Sequence, residues 1–472
     1  MQPTLYEQIA DELSSLIDQG HYTINERMPS LRSLSTTYNV SVTTAIQAYQ
    51  LLEQQGLVEA RPRSGYFVRA RRQAPEVPSH SRPPMIATKV TVAHLAMSLI
   101  QEARSATLVR LGAAVPGDDM LPLGQLARAV SGSARRHYKS PGAYADTQGE
   151  PALRKEIVKL MREAGCRTHA REIVVTNGCL EALSIALRVV ARPGDTIAIE
   201  SPTYFGILQT IENMGMKALE IATHPQHGIC LESLGRALDR RRIGACILVP
   251  SFSNPTGALV PEPSRQRLVA LLERAGVPLI EDDIYGGLGF SPRRPKALKA
   301  WDNKGTVIYC SSFSKTLAPG LRLGWIAAGT LTEKIIYQKF LENISTAIYP
   351  QLAVCELLKR GSYRRTLRRT ASVYRRRMEQ LRHWVLEYFP AGTRMSNPQG
   401  GFLLWVELPQ EIQGIELYRR ALDKGIAITP GILFSAQQQF QNYIRLSCAA
   451  VDGEQARKAL KRLGALASGL GV

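Results

Sequence analysis

The sequence predicts an α/β body, a mostly parallel sheet with helices on both faces, preceded by a helical head ending in a hairpin. Three observations predict it. Beyond about residue 85, short apolar β-like runs alternate with helical stretches, the pattern of strands joined by crossover helices. Before residue 72, three helical stretches and two alternating runs are packed into a short span. Between them "RRQAPEVPSHSRPP" is rich in Pro, Ser and charge without an apolar period, as a linker would be. The predicted divisions are 1–72, 73–84 and 85–472, and 472 residues are too many for one ordinary core.

In the head, Leu5, Ile9, Leu13, Leu16 and Ile17 fall at helical spacing, widened by Tyr6 and Ala10, and Gly20 ends that helix. A second helix starts at "PSLRSLSTTY", with Ser30 as N-cap. After Asn39 and Val40, Ser41 caps a third, "VTTAIQAYQLLEQQG". There Val42, Ala45, Ile46, Tyr49 and Leu52 should face inward, and Thr43, Thr44, Gln47 and Gln50 outward. Two short helices across a tight turn, the second displaying small polar side chains at its start, form a helix-turn-helix. "LVEARPRSGYFVRARR" then alternates across a Pro-Arg-Ser-Gly turn, a two-stranded wing. Seven arginines balance seven acids in residues 1–72, but the charge is polarised. Glu7, Asp11, Glu12 and Asp18 sit on the first helix, whereas Arg61, Arg63, Arg69, Arg71 and Arg72 lie on or just after the wing, an edge suited to phosphates.

The stretch from Met28 to Val68 resembles the winged-helix domain of GntR-superfamily regulators. The resemblance implies a winged helix-turn-helix that binds double-stranded DNA. It implies groove and phosphate contacts from Arg32, Thr43, Thr44 and Gln47, with Ser41 at the start of the recognition helix. Arg61 and Gly65 would shape the wing.

Composition narrows the class further. The net charge of +19 favours a polyanionic partner. The opening residues are broken by charge every few positions and no apolar run reaches spanning length, so neither a signal peptide nor a membrane span is predicted. Seven scattered cysteines with no CxxC or metal spacing predict reduced thiols, a cytoplasmic location and no metal site. At ~3 Å per residue the linker from Gln73 to Pro84 would reach on the order of 35–40 Å.

In the body, polar residues follow apolar runs in "EIVVTNGCLEAL", "GDTIAIESPTYFG", "CILVPSFSNPTG", "PLIEDDIYGG" and "VIYCSSFSK". Ligands of such sheets bind at the carboxyl ends of the strands, so these segments should converge on one crevice. Their order resembles fold-type I pyridoxal phosphate enzymes, the aminotransferases, across nearly all of the body, which implies a small C-terminal domain. The resemblance makes Lys315 the lysine that carries pyridoxal 5'-phosphate as a Schiff base. Asp282 matches the carboxylate that meets the pyridinium nitrogen. Asp283 is a compositional rival, but neighbouring strand residues face opposite ways, and the family spacing to Tyr285 selects Asp282. Tyr285 and Asn254 would hydrogen-bond the ring phenolate, and Tyr204 would stack on the ring. For the phosphate, the resemblance assigns Gly178, Cys179 and Leu180 at a helix N-terminus, together with Ser312, Ser314 and Arg322. The family often has a polar residue, commonly Gln, where this chain has Leu180. Tyr144 would reach the phosphate of a partner subunit, and Arg445 would clamp a substrate or effector carboxylate. The run "YRRTLRRTASVYRRRMEQLRHW" reads as a solvated helical face or as a further DNA contact.

A GntR-type head on an aminotransferase-like body resembles MocR-type regulators over essentially the whole chain. That resemblance implies a homodimer, each head swung over the opposite body, on an operator of paired half-sites. It also implies an internal aldimine at Lys315 through which pyridoxal phosphate or a small amine or amino acid is sensed. Two alternatives stay open: an active aminotransferase with an appended head, and a winged-helix repressor with an inert dimerisation body.

Overall fold

The computed structural model describes residues 4–23, 25–54, 56–61, 64–69, 76–92, 96–97, 101, 108–451 and 453–470. Arg63, Arg71, Arg72, the start of the expected linker at 73–75 and the side chain of Asp18 lie outside the described residues. Among the described residues no helix is long and apolar enough to cross a membrane.

The head comprises α1 (Leu5–Asp18), α2 (Leu31–Thr37), α3 (Val42–Gln54) and an antiparallel hairpin of β1 (Val58–Arg61) and β2 (Gly65–Val68). Its helices begin where short side chains replace absent backbone partners. Ser30 Oγ accepts from Ser33 N at 3.1 Å, and Ser41 Oγ accepts from Thr44 N at 3.1 Å. Gly65 turns the hairpin at φ +98°, a conformation open to glycine. Ile9, Ala10, Leu13, Leu34, Ala45, Tyr49, Leu52, Val58 and Val68 form the head's core. Two expected core positions differ. Leu5 is 61% exposed and Val42 is 45% exposed, because each is the first residue of its helix and lies beyond the turn that would cover it.

The body is built on a large sheet. Its path runs β3 (Thr88–Lys89), β6 (Lys217–His224), β5 (Thr196–Ser201), β8 (Ala245–Leu248), β9 (Leu279–Asp282), β10 (Val307–Ser312), β11 (Gly324–Ala327), β4 (Ile173–Thr176), with β7 (Gly228–Ile229) paired to β6 off that path. The run from β6 through β10 is parallel, and β11 runs antiparallel to both neighbours. Those central strands are mostly apolar and buried, as in parallel sheets covered on both faces, and they also bury the acids Glu200, Glu220, Glu281 and Asp282. A second, antiparallel sheet orders β12 (Arg394–Met395), β13 (Leu403–Glu407), β15 (Tyr443–Ser447) and β14 (Thr429–Pro430). It packs with the helices Ser362–Tyr388 and Gly453–Ser468 around Trp405, Phe434, Leu381 and Leu460, forming the small domain.

Residues 76–84 lie against the body. Arg394 Nε donates to Glu76 Oε2 at 2.8 Å, and Glu407 Oε2 accepts from Ser79 N at 2.8 Å. Both partners belong to the small domain. Two residues on, Ser81 Oγ accepts from Thr223 N at 2.8 Å and Ser81 N donates to Thr223 O at 3.3 Å, on the large sheet. The head contacts the helix Ser362–Tyr388. Glu7 lies 3.8 Å from Arg376 and Arg69 lies 3.9 Å from Glu387. A Cβ at Gly56 would come within 2.2 Å of the His383 imidazole. Thus part of the arginine run faces the protein's own head.

Candidate functional site

Strand polarity positions the candidate site. β4, β5, β8, β9 and β10 all end at one edge of the sheet, and the next few residues hold Gly178, Tyr204, Asn254, Tyr285 and Lys315. The reversed strand β11 starts where the others end, since Gly324 pairs with both Ser312 and Thr176. Arg322 therefore arrives at the same edge from the opposite direction.

Asp282 ends β9 and is buried, 4% exposed. Burial pushes its carboxyl up to about 6, the thiol of Cys179 pulls it back, and the charge of Asp283 adds to the rise. No cation forms an ion pair with Asp282 among the described residues. Asp283 points to the other face, held by Arg294 at 2.5 Å and by the Tyr309 hydroxyl at 2.9 Å. Strand alternation separates the two carboxylates as expected.

Lys315 Nζ donates to Ala114 O at 2.6 Å. Burial, then the positive charge of Arg445, pulls its amine down to about 8, against the pull of Asp282. Arg322 donates from Nη1 to Ser314 Oγ at 3.4 Å and from Nη2 to Asn177 O at 3.0 Å. Its guanidinium lies over Gly178, where a Cβ would approach it to 2.5 Å and where φ is +93°. Ser312 Oγ accepts from Ser314 N at 3.3 Å. The N-terminus of the helix Cys179–Val190, two serine hydroxyls and a guanidinium thus form an anion cradle.

Opposite lies Arg445, 3% exposed on β15. It donates to Asn254 Oδ1 at 2.9 Å, Gly112 O at 2.6 Å and Thr429 Oγ1 at 3.2 Å. No acid pairs with it among the described residues, its Nε is buried without a hydrogen-bond partner, and burial holds the guanidinium down to about 10. Asn254 also hydrogen-bonds Tyr285, whose phenol burial pushes well up. The Tyr204 phenol, likewise raised by burial, lies in the fields of Arg445, Asp282, Cys179 and Arg322.

The Leu180 side chain is 44% exposed while its backbone lies in the first turn of the helix Cys179–Val190, and Tyr144, expected to reach a partner subunit, is 83% exposed. Sequence reasoning missed Gly112, Ala114 and Thr429. The first two act through carbonyls, which leave no side-chain signature. The available signal was the run "LGAA", since a Cβ at Gly112 would lie 2.4 Å from the Ile428 carbonyl carbon.

In the head, Arg32, Ser41, Thr43 and Gln47 are exposed, and Thr44 is half-buried with Oγ1 2.9 Å from Ser41 Oγ. Arg61 is engaged within the wing region, at 2.7 Å from Glu59, 2.8 Å from Asn25 and 4.4 Å from the Phe67 ring centroid.

The chain joins a winged helix-turn-helix head to the scaffold of fold-type I aminotransferases. Residues 122–463 match the family described as aminotransferase class I and II, and residues 5–68 match the gntR family of bacterial regulatory proteins. The uncharacterized HTH-type transcriptional regulator YjiR of Escherichia coli is 36% identical over 98% of both chains. The 2-aminoadipate transaminase of Thermus thermophilus is 32% identical over 75% of this chain and 89% of its own. The crystal structure of LysN, an α-aminoadipate aminotransferase from Thermus thermophilus complexed with N-(5'-phosphopyridoxyl)-L-leucine, superposes with TM-score 0.73 at 30% identity, covering 79% of this chain and 97% of that one. The chain belongs to the MocR-type regulators of the GntR superfamily, which join a gntR head to an aminotransferase class I and II body.

Proposed function

We propose that this protein is a DNA-binding transcriptional regulator whose body holds pyridoxal phosphate covalently through Lys315 and responds to a small amine or amino acid. The observation that carries it is the charge arrangement around Lys315. An amine lowered to about 8 lies in the fields of an acid-free guanidinium, Arg445, and a buried carboxylate, Asp282, that forms no ion pair among the described residues. When bound, the cofactor supplies an aldehyde that captures amines and a ring that withdraws electrons.

The protein's residues do the rest. Lys315 offers a largely neutral amine above pH 8. Asp282 supplies the counter-charge for a protonated ring nitrogen. Gly178, Cys179, Ser312, Ser314 and Arg322 hold the phosphate, with Leu180 contributing its backbone amide. Tyr204 flanks the ring, and Tyr285 and Asn254 face its phenolate oxygen. Arg445 receives an effector carboxylate in place of Gly112 O. In a homodimer the exposed Tyr144 is free to reach the partner's phosphate. Arg32, Ser41, Thr43, Thr44 and Gln47 meet the duplex, with the wing set by Arg61 and Gly65. Two such heads suit an operator of paired half-sites. Regulation requires that effector-free and effector-bound bodies hold the heads differently.

The test is binding of the protein to the DNA upstream of its own gene, with and without pyridoxal phosphate, against unrelated duplex at one salt concentration. Saturable preference that changes with cofactor is expected. Equal, salt-sensitive binding to every duplex would overturn the regulatory reading. Arg445 also favours a second reading, a working aminotransferase. Steady amino-group transfer from amino acid to keto acid, abolished by Lys315→Ala, would establish it.

A further inference from the structure

Cys179 enters the cofactor reading only through its backbone amide, yet its side chain points at Asp282. Sγ lies 3.3 Å from Oδ1, and Cys179 is 5% exposed. Among the described residues it is the one side chain hydrogen-bonded to Asp282, with the Ile284 amide as the remaining donor. The contact spans the sheet: Asp282 ends β9, while Cys179 opens the helix that follows β4. The geometry points to Cys179 as a positioning residue whose thiol fixes one oxygen of Asp282 and leaves the other to the ring nitrogen of pyridoxal phosphate.

The chemistry supports a donor and not a nucleophile. Burial, reinforced by the charge of Asp282, pushes the thiol well above its usual range, so it stays protonated and can only give its hydrogen to the carboxylate. A donor on the charged form favours that form, which keeps Asp282 anionic against the burial that raises it. The other groups in the field of Asp282 are Asp283, Lys315, Tyr204, Tyr285, Cys310 and Glu200, and among the described residues none of them donates a side-chain hydrogen bond to it. One oxygen held by sulfur also restricts the carboxylate to one orientation, which a partner ring then need not impose.

The inference rests on cofactor binding at Lys315, and its test separates the two. Wild type, Cys179→Ala and Cys179→Ser are titrated with pyridoxal phosphate by absorbance, and the spectrum of each loaded protein is followed across pH. Cys179→Ala should bind the cofactor about tenfold more weakly and move the pH midpoint of the spectral change. Cys179→Ser, which restores a donor, should stay within about twofold of wild type in affinity and keep its midpoint. Equal behaviour of Cys179→Ala and wild type would overturn the proposal. So would equal losses in both variants, which would make the thiol a packing group. Wild type that develops no cofactor band overturns the reading beneath, and the proposal with it. Thermal melting of each variant separates a folding defect from a positioning one.

Discussion

The head and the body present their functional groups to opposite environments. Arg32, Thr43 and Gln47 are exposed, held out by a small core and two serine caps. Asp282 and Arg445 are buried, and their ionisation is shifted by that burial. An exposed group acts in high dielectric, so its contribution to DNA binding is modest and weakened by salt. A buried group pays for its desolvation through its neighbours, so altering one disturbs several. The charge is divided the same way. Seven arginines against seven acids leave the head neutral, so the +19 excess lies wholly beyond it.

The sharpest attempt to break this contrast is Lys315→Ala. It should abolish the covalent cofactor spectrum while leaving duplex binding by cofactor-free protein within about twofold, a difference smaller than one hydrogen bond. Joint loss in a gel-shift assay would show that the two regions are not separable. Next comes pH. Only the neutral amine attacks the aldehyde, and the Lys315 amine is lowered to about 8. Capture should therefore accelerate about a hundredfold from pH 6 to well above 8, measured by stopped-flow absorbance. A midpoint above 10 would mean an amine unaffected by its surroundings. Arg445→Gln should weaken amino-acid effectors by roughly thirtyfold, the loss of a hydrogen bond to a charged group, and leave simple amines unchanged in the same spectral titration. Arg32→Ala is expected to weaken operator binding about tenfold with the cofactor spectrum intact.

Much of the candidate site was legible because its proposed groups are side chains at fixed offsets from apolar runs. The segments that hold Gly178, Tyr204, Asn254, Tyr285 and Lys315 could be ordered from the sequence, and strand alternation put Asp282 and Asp283 on opposite faces, with the resemblance choosing between them. The serine caps were legible for the same local reason. Groups whose role depends on a distant partner were not. The carbonyls of Gly112 and Ala114 meet Arg445 and Lys315 across the fold, and a carbonyl is common to every residue. Leu5 and Val42 fit the apolar spacing but stand at helix starts, where the stripe extends past its cover. Ser79 and Ser81 gave the 73–84 stretch the composition of free chain, whereas their hydroxyls bond Glu407 and Thr223.

That attachment bears on the grammar of the DNA the protein can read. Six residues separate Arg69, at the end of the wing, from Glu76, the first pinned to the body. Whatever its conformation, a stretch of that length spans at most roughly 25 Å. In the homodimer proposed above, moving one half-site by a full turn of duplex would displace it about 34 Å, more than one such stretch can span. In that dimer, operator spacing would follow the distance between the two bodies, and half-sites moved by a full turn would be bound more weakly.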